Sequence, residues 1–480
     1  MRFYPQEVYF HGSGKQPEYV LSIDASSAFP DGGLRFVTGG ADPTARVWKF
    51  SEATGGRVGL SSELLGHSQC VNVVRFSPTT GETLASGSDD GQIIIWTYRG
   101  PGSVFGSEFS SEVFLPSKKL NALDEITGLS FSPCGGFIAA SLVRELSIVF
   151  DLASGRHIQR LDGHNARVLG VAWDPKNEFV ASVSSDRSVR IYGRAKKKKT
   201  AFYPKALLSS CPITNPPALA TGGVPTTQRK LFMSEAHFSA DPTAHFFRRL
   251  EFSSDGSMLA VPGGLWDCGS GPAGSATAAG GATGGSGAIT TGGGSATTGS
   301  SGATGFAVHL FGRSSLSSHA APTASIPTLQ SPAVAVRFHP RRFRLGTGEA
   351  YHVFAVVCVH YVAVYRSDAT RPVGVLADVH CTALVDAAWA DYTLGVCSSD
   401  GYVSVAVFDE AELGQVVEDV KPVAVGVPSV EAPVAATPDE GEDEEAVRDN
   451  GENVVMTNVE GEPEVKRRRI TPEVVANLGL

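Results

Sequence analysis

Paired cysteines and long apolar runs are both lacking in this chain of 480 residues. Its seven cysteines are an odd number and include no Cys-x-x-Cys pair, which argues against a disulfide framework. The most apolar run, residues 351–365, is shorter than the about 20 residues of a membrane span, so it predicts two adjacent buried strands instead. The N-terminal sequence MRFYPQEVYF lacks the basic and apolar regions of a secretory signal. We therefore expect a soluble protein of a reducing compartment, without membrane contact.

Charged residues are also few, at 19%, and the net charge of −9 is unevenly placed. Residues 415–480 contain 15 acidic and 6 basic residues; subtracting these from the totals of 49 and 40 leaves 34 of each in residues 1–414. A balanced body gives no support to broad nucleic-acid binding through a basic surface. We therefore expect contact with DNA only indirectly.

A short apolar alternation that ends in an aromatic residue and a turn recurs along residues 1–414. Alternation with period two predicts a strand, and the Pro, Asp or Gly that follows predicts a tight turn. A weaker first copy centres on Ile23, and the aromatic residues of the other six copies are Phe76, Phe131, Trp173, Phe252, Phe338 and Trp389. Each of the seven units continues with further apolar runs, such as TLASGS and QIIIW in the second unit.

Polar residues recur at fixed places in these units. The turn between the second and third runs carries Asp42, Asp90, Asp186 or Asp400, and the first three precede Trp48, Trp96 and Tyr192 by six residues. A histidine stands nine residues before the aromatic residue of three units, as His67, His164 and His380. Buried histidine, aspartate and hydroxyl groups satisfy one another by hydrogen bonds, so we interpret these residues as structural rather than catalytic.

The pattern resembles the WD40 repeat, in which Gly-His opens the unit and an aromatic residue closes the third strand. The resemblance implies an all-β protein, a seven-bladed propeller over residues 1–414. The third unit departs from the pattern because Arg144 stands where the Asp falls. A run of Gly, Ser, Ala and Thr predicts a disordered insertion at about 263–305, and a second loop insertion is expected at about 195–236. Residues 415–480 are expected to form a disordered acidic tail that ends in a basic docking motif at 466–472.

Catalytic and metal-binding motifs are not evident, since neither GxxxxGK[ST] nor HExxH occurs. Cys358 and His360 would supply only two metal ligands, so we predict buried strand residues there. The KKKK run at 196–199 favours a solvated loop, with contact to phosphate or histone tails and nuclear import as the alternatives. We expect a binding module, with no enzymatic activity, no cofactor and no metal.

Particular segments resemble a narrower family, the WD-repeat middle subunit of chromatin assembly factor and its HIR relatives. These segments are residues 39–50, 66–96, 163–192 and 398–414 and, most specifically, HFFRRLEFSSDGSMLAVPGG at 245–264. The resemblance implies a nuclear, non-enzymatic subunit of a trimeric histone chaperone. Its implied partners are the large and small subunits of that complex and histones H3–H4, which the complex deposits on DNA during replication and repair.

The tail sequence RRRITP resembles the short motif by which this family binds the anti-silencing histone chaperone. An extended strand there can add to an exposed sheet edge, with Arg468, Ile470 and Pro472 on one face. The implied docking residues are Arg467, Arg468, Arg469, Ile470, Thr471 and Pro472. The competing interpretation is a nuclear-localisation signal formed by Lys466, Arg467, Arg468 and Arg469, and both roles can share these residues.

Three other functions remain open from the sequence. A HIR-type co-repressor subunit is the nearest, but HIR subunits continue beyond such a motif with another folded region, whereas this sequence stops eight residues after Pro472. We therefore expect the replication-coupled subunit. A WD40 substrate adaptor of a ubiquitin ligase is the second alternative, and an enzyme is the third.

Overall fold

Each repeat unit forms a small antiparallel sheet, and seven such sheets follow one another as blades. The computed structural model describes residues 1–6, 8, 10–12, 17–102, 111–195, 201–212, 228–234, 246–267, 304–318, 321–328 and 331–417. The innermost strand of each blade contacts the innermost strands of the blades before and after it, and the seventh contacts the first. The predicted seven-bladed all-β propeller is therefore confirmed.

In the first four blades the inner strands are buried along most of their length, whereas the outermost strands of blades 2 and 3 are largely exposed. The chain begins with β1 (Arg2–Pro5). Blade 1 comprises β2 (Val20–Ser26), β3 (Leu34–Gly40), β4 (Thr44–Ser51) and β5 (Arg57–Leu65). Blade 2 comprises β6 (Val71–Phe76), β7 (Thr83–Ser88), β8 (Gln92–Pro101) and β9 (Glu112–Asn121). Blade 3 comprises β10 (Ile126–Phe131), β11 (Phe137–Leu142), β12 (Ser147–Asp151) and β13 (Arg156–Leu161), and blade 4 comprises β14 (Val168–Trp173), β15 (Phe179–Ser184), β16 (Ser188–Arg194) and β17 (Phe202–Leu208).

Two features interrupt the four-strand order in the second half of the propeller. One is a separate hairpin before blade 5, and the other is a final short strand that joins the sheet of blade 6. A separate hairpin, β18 (Ser210–Pro212) with β19 (Gln228–Lys230), precedes blade 5. Blade 5 comprises β20 (Glu251–Phe252), β21 (Met258–Asp267), β22 (Thr304–Gly312) and β23 (Ala324–Pro327). Blade 6 comprises β24 (Ala333–Arg344), β25 (Tyr351–Cys358), β26 (Tyr361–Arg366) and β27 (Gly374–Ala377). Blade 7 contains β28 (Leu384–Ala390), β29 (Thr393–Ser398) and β30 (Val403–Val407); α1 (Glu410–Leu413) and β31 (Gln415–Val417) follow, and β31 pairs with β24.

The first strand of the chain completes the last blade. β1 pairs with β30 in antiparallel register, with Arg2 opposite Val407, so blade 7 also has four strands. The Met1 ammonium lies 2.6 Å from a Glu412 carboxylate oxygen, and Arg2 donates to Asp409 at 2.9 Å. Closing the ring in this way removes the free face that an open row of blades would leave to solvent.

Antiparallel order sorts the connecting loops onto two faces. Loops from the outermost strand of one blade to the innermost strand of the next, and loops between second and third strands, open on the same side, called here the upper face. The remaining loops open on the opposite side, the lower face. The turn aspartates and their histidines therefore lie at the upper face, whereas β31 pairs with the lower end of β24.

Three observations concern the segments predicted from the sequence, namely the two insertions and the apolar run. β17 lies within the predicted insertion 195–236 and forms the outermost strand of blade 4. β21 and β22 extend into the predicted insertion 263–305, with Gly264 opposite Ala307. The apolar run 351–365 does form two adjacent strands, β25 and β26, as predicted. No helix among the described residues is long and apolar enough to cross a membrane.

Candidate functional site

Hydrogen bonds between innermost strands hold neighbouring blades in register around the centre of the ring. The side chain of Asp24 accepts the Phe76 backbone N–H at 2.7 Å, linking blades 1 and 2. Ser130 accepts the Trp173 N–H at 2.9 Å, linking blades 3 and 4. The recurring aromatic residue of one blade is thus fixed by a polar side chain of the blade before it.

A buried carboxylate, Asp386 of β28, gathers three arginines at the centre of the ring. Its side chain is 0% exposed and lies 3.2 Å from Arg75 of blade 2, 3.1 Å from Arg249 and 2.8 Å from Arg337 of blade 6. Burial raises the pKa of Glu251, a neighbouring carboxyl in the same channel, to about 8. The centre of the propeller is therefore an ion-pair cluster rather than an apolar core.

The family-specific FFRRL segment, residues 246–250, enters this cluster from the connection between blades 4 and 5. Arg249 is 4% exposed and donates to the backbone carbonyls of Leu21 in blade 1 and Asn72 in blade 2. Phe247 packs into the apolar cluster shared by blades 7 and 1. A segment adjacent to blade 5 thus crosses the channel and ties together blades on the far side.

The second blade contains a complete hydrogen-bonded chain of the predicted repeat residues. His67 Nδ1 lies 3.0 Å from Asp90, and His67 Nε2 lies 2.7 Å from the hydroxyl of Ser86, which also accepts the indole N–H of Trp96 at 2.9 Å. Burial lowers the pKa of His67. Burial raises the pKa of Asp90, but the N–H groups of Ser68 and Gln92 and the contact with His67 outweigh it, so this pKa is lowered.

Two other predicted histidines also contact a turn aspartate through Nδ1, but they differ in whether Nε2 has a partner. His164 Nδ1 lies 2.9 Å from Asp186, whose pKa is lowered to about 2, and His164 Nε2 lies 2.8 Å from Ser182. His380 Nδ1 lies 3.1 Å from Asp400, but His380 Nε2 is buried with no hydrogen-bond partner among the described residues. Val396 occupies the position that Ser86 occupies in blade 2, which explains the missing partner.

One member of this set was missed by the sequence reasoning. His11 Nδ1 lies 2.8 Å from Asp42 and His11 Nε2 lies 3.0 Å from Thr38, which accepts the Trp48 indole N–H at 2.9 Å. His11 stands fourteen rather than nine residues before Ala25, the position in blade 1 that corresponds to Phe76, because the loop before β2 is longer. The dipeptide His11-Gly12 before an otherwise complete unit was the available signal.

Several predicted sites fall elsewhere or outside the described residues. The docking motif and nuclear-localisation candidate at 466–472 and the lysine run at 196–199 lie outside them. Cys358 is buried in β25, and burial raises the pKa of its thiol to about 12. The prediction of a buried strand position was wrong for His360, which is exposed in the turn that follows β25. The described residues contain no group of three His, Cys, Asp or Glu side chains that could hold a metal ion.

These blades, with His–Asp contacts that tie loops together at the upper face, define a seven-bladed propeller of the WD-repeat class. The family model described as the CAF1B/HIR1 beta-propeller domain matches residues 1–277. The chain therefore belongs to the CAF1B/HIR1 propeller family, and the resemblance drawn from its sequence is confirmed.

Similarity to individual members extends beyond the matched domain. The chain is 27% identical to a chromatin assembly factor 1 subunit of Mus musculus, over 95% of this chain and 74% of the relative. It is 27% identical to the Saccharomyces cerevisiae protein of the same name, over 98% of each chain. It is 26% identical to protein HIR1 of Yarrowia lipolytica, over 85% of this chain and 38% of the relative.

Proposed function

We propose that this protein is a non-enzymatic subunit of a nuclear histone chaperone that deposits histones H3 and H4 on DNA during replication- and repair-coupled nucleosome assembly. The observation that carries the proposal is the family match over the propeller, together with an alignment to the yeast chromatin assembly factor 1 protein that spans 98% of each chain. The proposed partners are the large and small subunits of chromatin assembly factor and the H3–H4 dimer.

The central ion-pair cluster supports a scaffolding role for the propeller. Asp386 and Arg249 connect inner strands of blades on opposite sides of the channel. A ring held in this way presents its upper and lower loops in fixed relative positions, which suits a subunit that holds several partners at once. The charged groups of this cluster pair with one another, so we assign no binding partner to the cluster.

The second part of the proposal is a docking function for RRRITP. This strand would pair with an exposed sheet edge of a second H3–H4 chaperone of the anti-silencing type, with Ile470 in an apolar groove and arginines on partner carboxylates. Attachment to the propeller through the intervening chain raises the local concentration of the docked chaperone near the histone-handling complex.

Calorimetric titration of the full chain with the anti-silencing chaperone tests the docking function. The double variant Arg468→Ala with Ile470→Ala should abolish binding, because it removes both the charged and the apolar contact of one strand face. The matched control is Arg448→Ala with Val474→Ala, which removes a cationic and an apolar side chain on either side of the motif. Docking is refuted if the motif variant and the control bind with equal affinity.

Affinity purification from nuclei, followed by mass spectrometry, tests the proposed complex itself. Recovery of the large chromatin-assembly subunit together with H3 and H4 is the expected result. Recovery of HIR complex subunits instead would identify the replication-independent pathway, which the similarity to HIR1 makes the second candidate. A cullin-type ligase as the main partner would overturn the proposal in favour of a substrate adaptor.

A further inference from the structure

The upper face has a cavity of about 1020 Å³ between blades 3 and 4. One wall is the turn of blade 3, residues 143–146, and the other is the connection from blade 3 to blade 4, which includes Asp162, His164 and Arg167. A cavity of this volume holds a peptide segment of several residues or a small ligand.

The cavity lies beside the turn of blade 3, where the described residues lack the His–Asp hydrogen bond found in blades 1, 2, 4 and 7. In blade 2, His67 and Asp90 join the incoming loop to the turn between the second and third strands. In blade 3 the corresponding positions are Ala122 and Arg144, so this link does not exist. Arg144 instead pairs through Nε with Asp124, while 75% of its side chain stays exposed. The loss of the repeat residues leaves the turn of blade 3 open to solvent and places a guanidinium on it.

Two further arginines line the same cavity. Arg160 is 60% exposed, and its one ion pair within the described part of the chain is a long, exposed contact with Asp162 at 3.6 Å. Arg167 places its guanidinium over the ring of Phe246, with 5.4 Å to the ring centroid, and Phe246 is 44% exposed. Beneath Gly163 lies the guanidinium of Arg190, whose Nε is buried and finds no acceptor among the residues that the structure describes. Cationic groups from two blades therefore converge on one concave site.

The cavity also has apolar and acidic parts. Val143 and Leu146 are half-buried on the blade 3 wall and offer an apolar surface. Glu145 and Asp162 lie on the rim, so the site is not uniformly positive. Arginine and exposed aromatic residues around a concave apolar surface are the composition typical of protein-binding hot spots.

We propose that this cavity binds an acidic peptide segment of a partner protein. Two carboxylates of the peptide pair with Arg144 and Arg160, because a guanidinium binds carboxylate in a planar, bidentate geometry. An apolar side chain between them packs on Val143 and Leu146. The inference goes beyond the proposed function, since it assigns a second docking site, on the propeller rather than on the tail, and does not depend on H3–H4 deposition.

Duplex DNA is less suited to this site than an acidic peptide. Duplex DNA would bring a dense row of phosphates against Glu145 and Asp162 on the rim, and the body as a whole carries no net charge to attract it. A short peptide brings only a few carboxylates, which can reach Arg144 and Arg160 without a continuous row of charge along the acidic rim. The acidic run of this chain, residues 439–445, lies outside the described residues, and its binding to the cavity is one outcome of the test below.

Fluorescence anisotropy with the full chain tests the site. The probe is a short fluorescein-labelled peptide in which Glu and Leu alternate, and a peptide with Gln in place of each Glu is the control probe. The variant Arg144→Ala with Arg160→Ala should weaken binding about tenfold for each arginine removed. The matched variant Arg156→Ala with Lys176→Ala removes two cations outside the cavity on the same blades and should bind as the unmodified chain does. Equal urea midpoints for both variants show that the ring is intact.

Three results would overturn the inference. Equal affinity of the Glu and Gln peptides would mean that carboxylates are not recognised. Peptide binding that appears only after the acids of residues 439–445 are changed to amides would identify the tail as the occupant. Binding of a short DNA duplex that is lost in the Arg144→Ala, Arg160→Ala variant would make the site a nucleic-acid contact instead.

Discussion

Replacing Asp386 by Asn should destabilise the propeller more than any comparable surface change. The carboxylate is fully buried and lies 2.8–3.2 Å from three arginines, which belong to blade 2, blade 6 and the connection between blades 4 and 5. At an effective dielectric constant of about 20, one pair at that distance gains roughly 5 kcal/mol before the cost of desolvation. Removing one partner of a buried pair costs about 3–5 kcal/mol, because the remaining charges stay buried without compensation. We expect a loss in that range for Asp386→Asn.

Equilibrium unfolding in urea, followed by tryptophan fluorescence, measures this loss. Trp389 lies on the same strand as Asp386 and is 5% exposed, so its emission reports on the affected region. Asp409→Asn is the matched control, since Asp409 also pairs with an arginine, at 2.9 Å, but is 56% exposed. Exposed pairs contribute about 0–1 kcal/mol, so the control should change little.

A second substitution distinguishes the loss of ion-pair attraction from the cost of leaving arginines buried without a counter-charge. Adding Arg337→Met to Asp386→Asn removes one of the three uncompensated cations and should recover part of the lost free energy of unfolding. If Asp386→Asn and Asp409→Asn lower the free energy of unfolding equally, the central cluster does not hold the ring together and the reasoning fails.

The remaining predictions concern the upper face, the channel and the tail. His67→Ala should destabilise the protein more than His380→Ala, because of the two only His67 has partners at both ring nitrogens within the described structure; urea midpoints measure both, and equal losses would contradict this. Burial raises the pKa of Glu251 from 4.5 to about 8, so between these pH values the folded state holds a proton that the unfolded state has lost. The free energy of unfolding therefore falls as pH rises from 4.5 to about 8. Glu251→Gln should reduce this slope in a plot of urea midpoint against pH, and an unchanged slope would contradict the assignment. Changing Arg467–Arg469 to lysines should preserve nuclear import of a fluorescent fusion but weaken chaperone docking, since lysine keeps the charge without the bidentate geometry; equal docking would show that the arginines are not recognised through bidentate contacts.

Local patterns in the sequence were sufficient to predict the blades but not the contacts between distant blades. The pattern around Phe76 or Trp173 is read within a few residues, because successive side chains of a strand point to opposite faces and the turn follows at once. The contact of Arg249 with Asp386 joins residues far apart in the chain, and neither residue belongs to the repeating pattern. FFRRL was recognised as family-specific, yet its position across the channel follows only from the closed ring.

Loop length explains the misses at the upper face. A fixed spacing of nine residues found His67, His164 and His380 but not His11, whose loop is longer. Arg144 was identified as a departure from the repeat, but the cavity beside it depends on a second loop, 162–167, that follows a different strand. Sites formed by two loops of neighbouring blades have no signature within one repeat.

Closure of the ring by β1 also sets an order of events during synthesis. Arg2 finds its partner Val407 only after nearly the whole propeller has been translated. At ribosomal rates of about 5–20 residues per second, the first strand waits roughly 20–80 s for its sheet. Throughout that interval blade 1 lacks its contact with β28 of blade 7. Pairing of β1 with β30 can therefore complete the sheet of blade 7 only once the two ends of the propeller sequence are both available.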